Sequence, residues 1–200
     1  MLSDEERGRV AAAIRDAERR TAGEIVVVVA ARASAYRSVP LLYALLGGLL
    51  APWPLIWLTA LSAARIFAIQ LIVALVLLML LSLPQRAYVP GFIRHARCRE
   101  AAAREFAARG LSRTRERTGV LIYVAAAEHY AEVVADAGIA AHVDETVWRD
   151  IIADLVIAIR AGLPADALVT AVNRVGEALA RHAPPRGDDR DELPNKVILV

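Results

Sequence analysis

The sequence has a single cysteine, Cys98. One thiol closes no disulfide within the chain and builds no thiolate metal site, which suits a reducing compartment. Cys98 sits among arginines, but a plain alanine-rich helix follows it rather than a phosphatase loop, so a surface or half-buried residue is expected. Aromatics make up 6% of the residues, and no basic run is interleaved with them. The arginines are scattered along helical stretches, so the net charge of +2 is not a nucleic-acid footprint and no nucleic-acid partner is expected. Phosphate-binding and nucleophile motifs are missing as well: there is no Walker A, no GxGxxG and no GxSxG elbow. The opening MLSDEERGRV is polar and acidic, without the apolar core of a signal peptide.

Charge is almost absent from one long stretch. Val39 to Leu83 contains Arg65 and no other charged residue. The mean hydropathy of the whole chain is positive, and this block accounts for the excess. A hydrocarbon core about 30 Å thick needs roughly 20 apolar residues in helix. The block holds two crossings and reads as a transmembrane helical hairpin. Pro52-Trp53-Pro54 leaves two placements of the turn. Either a kinked first helix runs to about Ser62 with Arg65 in a tight turn, or the turn falls near Pro52–Trp57. The first is preferred, because it keeps Arg65 out of the bilayer centre, where a charge costs several kcal/mol. The second span is then Ile66 to Leu83. Arg32 and Arg37 precede the hairpin, and Arg86, Arg94, Arg97 and Arg99 follow it. The positive-inside rule puts both soluble segments in the cytoplasm, so the expectation is a multi-pass protein of the plasma (inner) membrane in contact with the lipid bilayer.

The remaining residues alternate helical and strand patterns. Ser3 to Arg20 reads as an amphipathic helix with a Ser3/Glu6 capping box. Glu24 to Ala30 is a β-branched run that suits a strand buried on both faces, with Glu24 at its solvent edge. Phe92 to Ala108 reads as helix ending near Gly110, Leu111 to Thr118 as a polar loop, and Gly119 to Ala126 as a second buried strand. His129 to Ala137 is a candidate third strand, Asp136-Ala137-Gly138 a turn, and Asp144 the cap of a helix reaching about Ile159. A further helix runs from near Asp166 to His182. The terminal KVILV either adds an edge strand or lies on the surface. The organisation expected is residues 1–38 and 84–183 as two parts of one α/β domain, 39–83 as the hairpin, and 184–200 as a charged, mobile tail with a short apolar end.

The densest polar cluster is Glu128, His129, Asp136, His142, Asp144 and Glu145. Carboxylates in loops after strands can hold Ca²⁺ or Mg²⁺, which take oxygen ligands, and Asp136, Asp144 and Glu128 are the candidate metal ligands. The competing reading is structural: Asp144 as an N-cap, Glu145 as a first-turn acid, and Glu128 and His129 as turn residues. Gly47-Gly48 inside the apolar block would permit close helix packing.

Thr21-Ala22-Gly23-Glu24-Ile25-Val26-Val27-Val28 resembles the helix-to-strand opening of TPM domains. Arg117-Thr118-Gly119-Val120-Leu121-Ile122-Tyr123-Val124 resembles their second strand. Glu128-His129-Tyr130, Ala135-Asp136-Ala137-Gly138-Ile139 and Val143-Asp144 through Trp148 and Ile151-Ile152 resemble the segment that follows. The likeness extends to a bacterial branch in which a transmembrane hairpin interrupts the domain. It implies an α/β/α sandwich, with either weak acid phosphatase activity and Ca²⁺ binding or a part in assembly or repair of membrane complexes. Asp136 and Asp144 are the positions it offers as cation ligands. The short strand and aspartate that often precede the first helix are missing, and the glycine-rich turn is reduced to Asp136-Ala137-Gly138. The expectation is therefore a non-catalytic accessory or assembly factor that contacts other membrane proteins, with a metal-dependent phosphatase as the alternative.

Overall fold

The computed structural model describes residues 2–36, 38–81, 89–162, 164–185 and 196–200. Arg37, Arg86, the end of the second apolar span at Leu83 and most of the charged tail lie outside them. The chain forms two units, one from residues 1–34 and 95–200 and the other from residues 35–94.

The first unit opens with helix α1, Asp4–Glu18. The capping box forms as the sequence suggests: Ser3 Oγ accepts from Glu6 N at 3.2 Å and Ser3 N donates to Glu6 Oε2 at 2.7 Å. Val10, Ala13, Ile14 and Ala17 give α1 its buried face. The chain then turns through Thr21, whose hydroxyl donates to Ala183 O at 2.6 Å. Glu24 is buried rather than placed at a solvent edge. Its carbonyl already accepts from Val120 N at 2.8 Å, so the sheet continues over a residue that the charge pattern had put outside it.

Strands β1 (Ile25–Ala30) and β2 (Val120–Ala125) pair in parallel, with Ile25 opposite Val120. Strand β3 (Tyr130–Ala135) runs antiparallel to β2, and β4 (Val197–Leu199) lies parallel to β1. The order is β3-β2-β1-β4, so KVILV supplies an edge strand. Side chains of successive strand residues point to opposite faces. Ile25, Val27, Val120, Ile122 and Val124 face one core, which is shared with α1, α7 (Glu145–Arg160) and α8 (Pro164–His182). Val26, Val28, Leu121 and Tyr123 face the other core, beneath α5 (Gly91–Ala108). This is the expected α/β/α sandwich. It explains why β1 and β2 read as continuous apolar runs: both faces are covered.

Three local expectations change. Leu111–Arg113 is a 3₁₀ turn rather than open loop, because Leu111 is fully buried in the α5-side core while its polar neighbours face out. Asp136-Ala137-Gly138 is the start of a short helix, α6 (Ala137–Ala140), and not a turn, because the Asp136 carboxylate caps it. Cys98 is fully buried under the sheet rather than half-exposed, since it lies on the face of α5 that meets Ala101 and Ala102.

The second unit contains α2 (Ser38–Leu50), α3 (Pro52–Leu58) and α4 (Ala63–Leu81). Proline has no N–H to donate, so the helix breaks at Ala51-Pro52 and resumes in α3. The first apolar helix therefore ends at Leu58, where Thr59 turns extended, and not at Ser62. Arg65 lies in the first turn of α4 rather than in the connection, because Ser62 O accepts from Arg65 N and Ile66 N at 2.9 and 3.1 Å and starts the helix early. Trp53 to Leu58 are helical, which removes the alternative turn near Pro52–Trp57. The helices meet where a Cβ on Gly48 would stand 3.1 Å from Ala74 Cβ, so the glycine sets the closeness of α2 and α4. Elsewhere many large side chains of α2, α3 and α4 are exposed, to 78% at both Trp57 and Met79. Ser38–Leu58 (21 residues) and Ala63–Leu81 (19 residues) are each long and apolar enough to cross a membrane.

Candidate functional site

The polar residues of the first unit gather at the two ends of the sheet. At the amino end of β1 and β2, Asp136 is buried, with 5% of its surface exposed. Its Oδ1 accepts from Ala137 N at 2.7 Å and from Arg117 Nη2 at 3.0 Å, and its own N–H donates to Gly119 O at 2.9 Å. Arg117 adopts a left-handed backbone with φ of 57°, which a non-glycine residue holds only when its surroundings fix it. Gly138 N donating to Arg117 O at 3.0 Å is one such restraint. Asp144 lies further along the same connection, as the N-cap of α7: its Oδ1 accepts from Thr146 N at 2.8 Å and Thr146 Oγ1 at 2.7 Å. Glu145 pairs with Arg149 at 3.3 Å.

Glu128 is at the opposite end of the sheet. Its two oxygens accept from Ala33 N at 3.3 and 3.2 Å. The six residues of β3 separate it from Asp136, and at about 3.3 Å per residue they span roughly 17 Å. Ca²⁺ draws its oxygen ligands to about 2.3–2.6 Å, so Glu128 and Asp136 cannot share an ion. Among the described residues, no three His, Cys, Asp or Glu side chains converge on a metal position. The carboxylate of Asp136 faces a guanidinium, and one oxygen of Asp144 already takes two donors. Among the described residues, the three candidate ligands therefore do not meet at one position.

Two cap carboxyls make the domain acid-sensitive. The backbone hydrogen bond from Thr146 holds Asp144 below its ordinary value of 3.8, and the Ser3 backbone bond holds Glu6 below 4.5. A carboxyl whose folded pKa is depressed gives stability that is present above the unfolded value and lost as pH falls through the folded one. Thermal unfolding temperature should therefore drop as pH goes below about 4. Asp144→Asn and Glu6→Gln should flatten that drop by lowering the plateau between pH 5 and 8 towards the acid end, as read by circular dichroism melts across the range.

On the α5 side, Tyr130 Oη donates to Glu132 Oε2 at 2.8 Å, Arg99 lies 3.7 Å from the other Glu132 oxygen, and His95 meets the Tyr130 ring edge-on at 5.4 Å. Burial pushes Tyr123 up to about 12 and Tyr130 well above its usual range, so both phenols stay neutral and neither is an activated nucleophile. On the other side, α7 and α8 leave a groove of about 210 Å³ floored by Ile151, Leu155, Ala167 and Ala171, with an Arg174–Asp154 ion pair across it. Trp148 belongs to the core.

Arg117, His182 and the Tyr130–Glu132 pair were not singled out in the sequence. The only signal for Arg117 was its place just before a strand, and the contacts that give it a role come from a different connection.

Residues 87–178 match the family model of the TPM domain. The chain carries a TPM domain. The match runs from the approach to α5 through most of α8, and thus covers β2, β3 and the Asp136–Asp144 connection. Among solved structures, the NMR structure of the BA42 protein from the psychrophilic bacterium Bizionia argentinensis is similar in fold. Its TM-score is 0.61 at 23% identity, covering 100% of this chain and 96% of that one. No curated protein matches the chain. The structure adds that β1, α1 and β4, outside the family match, complete the sheet and the core of the TPM domain.

Proposed function

We propose that this protein is a TPM domain anchored in a bacterial inner membrane by the hairpin of α2, α3 and α4, and that it acts without catalysis as an accessory or assembly factor for other membrane proteins. The observation that carries the anchoring is the pair of consecutive apolar helices of 21 and 19 residues whose large side chains are left exposed. Water-facing Leu, Trp and Met over two whole helices are unfavourable by about 25 cal/mol per Å², and a hydrocarbon surround removes that cost. Two crossings return the chain to the side it left, so both parts of the TPM domain share one side. The arginines at positions 32, 94, 97 and 99 flank the hairpin, against Arg65 alone near the connection, which supports a cytoplasmic domain.

The non-catalytic part of the reading is supported by how the carboxylates are used. Asp136, Asp144 and Glu128 each serve the backbone around them, and the first and last lie at opposite ends of a strand. The test is a pair of assays on the full chain in its membrane. A photocrosslinking residue placed at Thr170, on the α7–α8 groove, is expected to give discrete adducts with integral membrane proteins. Aryl phosphate hydrolysis is expected to stay at background from acidic to neutral pH, with or without Ca²⁺ or Mg²⁺. Turnover that Asp136→Asn removes would overturn the reading in favour of an enzyme.

A further inference from the structure

His142 lies between α6 and α7, and His182 is the last residue of α8. The fold brings their rings to a centroid separation of 6.2 Å, with the planes inclined by 35°. His142 Nδ1 stands 2.9 Å from Gly138 O. A carbonyl only accepts, so Nδ1 carries the proton and the lone pair is on Nε2. That is the arrangement of a metal-bound imidazole whose second nitrogen donates to the backbone. Both side chains are exposed, which leaves room for water ligands, while both backbones are pinned. Ile139 and Val143 bury the connection around His142, and Ala183 O, next to His182, accepts from Thr21 Oγ1 and Ala22 N at 2.6 and 3.0 Å.

We propose that His142 and His182 form a binding site for a first-row divalent transition ion, of the class Zn²⁺, Cu²⁺ or Ni²⁺, with water completing the coordination. Metal–nitrogen bonds of about 2.0–2.1 Å, plus roughly 1.1 Å from nitrogen to ring centre, let two imidazoles on one ion place their centroids up to about 6.4 Å apart. That limit holds for a linear angle at the ion; a tetrahedral ion brings the centroids to about 5.2 Å, so rotation of the two exposed side chains has to close about 1 Å of the observed 6.2 Å. Imidazole suits Zn²⁺, Cu²⁺ and Ni²⁺, whereas Ca²⁺ and Mg²⁺ take oxygen, so this site is chemically distinct from the carboxylates at Asp136 and Asp144. Bound ion would staple the α6–α7 connection to the end of α8.

The experiment is isothermal titration of the untagged, EDTA-stripped full chain in detergent with ZnCl₂ and with NiCl₂ near pH 7.5, alongside Cu²⁺ electron paramagnetic resonance. The expected result is one saturable site per chain, nitrogen hyperfine coupling on Cu²⁺, a raised unfolding temperature with the ion, and no response to CaCl₂ or MgCl₂. His142→Ala and His182→Ala should each remove the saturable site and the rise in unfolding temperature that the ion produces. His95→Ala and His129→Ala should retain it. Saturable binding that survives either of the first two substitutions, or no saturable binding of any of the three ions, would overturn the proposal.

Discussion

Gly138→Val is expected to destabilise the TPM domain by about 3 kcal/mol, a large part of the 5–15 kcal/mol that holds a typical domain folded. Even the first carbon of a side chain there would stand 2.2 Å from Glu116 O and 2.7 Å from Arg117 O. These are backbone atoms, so no rotamer change relieves the contact. Moving α6 away from the 116–117 turn would break the Gly138 N to Arg117 O bond and then the Arg117–Asp136 pair that rests on the same geometry. A carboxylate as buried as Asp136 would be left short of its charged donor. For a chain of this size the unfolding temperature should fall by roughly 6–12 °C. Gly8→Ala is the matched control. Nothing lies within 4 Å of a Cβ there, and the residue is in the interior of α1, so alanine should stabilise by about 0.5–1 kcal/mol. Both signs are read in one set of melts of the detergent-solubilised protein.

A second large effect is expected in the hairpin. Ile72 and Leu75 lie near the middle of α4 and are both exposed. If α4 sits in hydrocarbon, an aspartate at each position costs about 2.5–3.5 kcal/mol in the insertion equilibrium, and the two together roughly 5–7 kcal/mol. The double variant Ile72→Asp/Leu75→Asp should then fail to insert and be degraded or aggregate. If the hairpin were instead bathed in water, the same substitutions would replace exposed apolar surface with charge, and the variant would be the more soluble of the two. Pulse-labelled cell fractions distinguish these outcomes because they have opposite signs.

The features that were legible in the sequence are those set by short-range chemistry. The Ser3/Glu6 box, the Asp144 cap, the β-branched runs of β1 and β2, and the apolar helices all follow from residues within a few positions of one another. What was not legible depends on packing between distant segments. The pairing of Ile25 with Val120 spans the whole hairpin, and no local pattern fixes that register. Asp136 reads as a turn residue until Arg117, just ahead of β2, is placed against it. Glu24 reads as exposed because charge usually marks an edge, yet the sheet extends past it. Leu111 was hidden among arginines and threonines, and one buried leucine was enough to fold its neighbours into a 3₁₀ turn. The acidic cluster around residues 128–145 looked denser in one dimension than it is in three, because β3 carries its two ends to opposite ends of the sheet.

The claim on which the account rests is that α2, α3 and α4 hold this TPM domain in a bilayer. Its most direct measurement is alkaline carbonate extraction of membranes from cells expressing the full chain, followed by flotation of the pellet through a density gradient. The protein should resist extraction, float with the lipid and come into solution only with detergent. Release into the carbonate supernatant in undiluted yield would contradict it, and would mean that the exposed faces of the two apolar helices are covered by protein rather than by lipid.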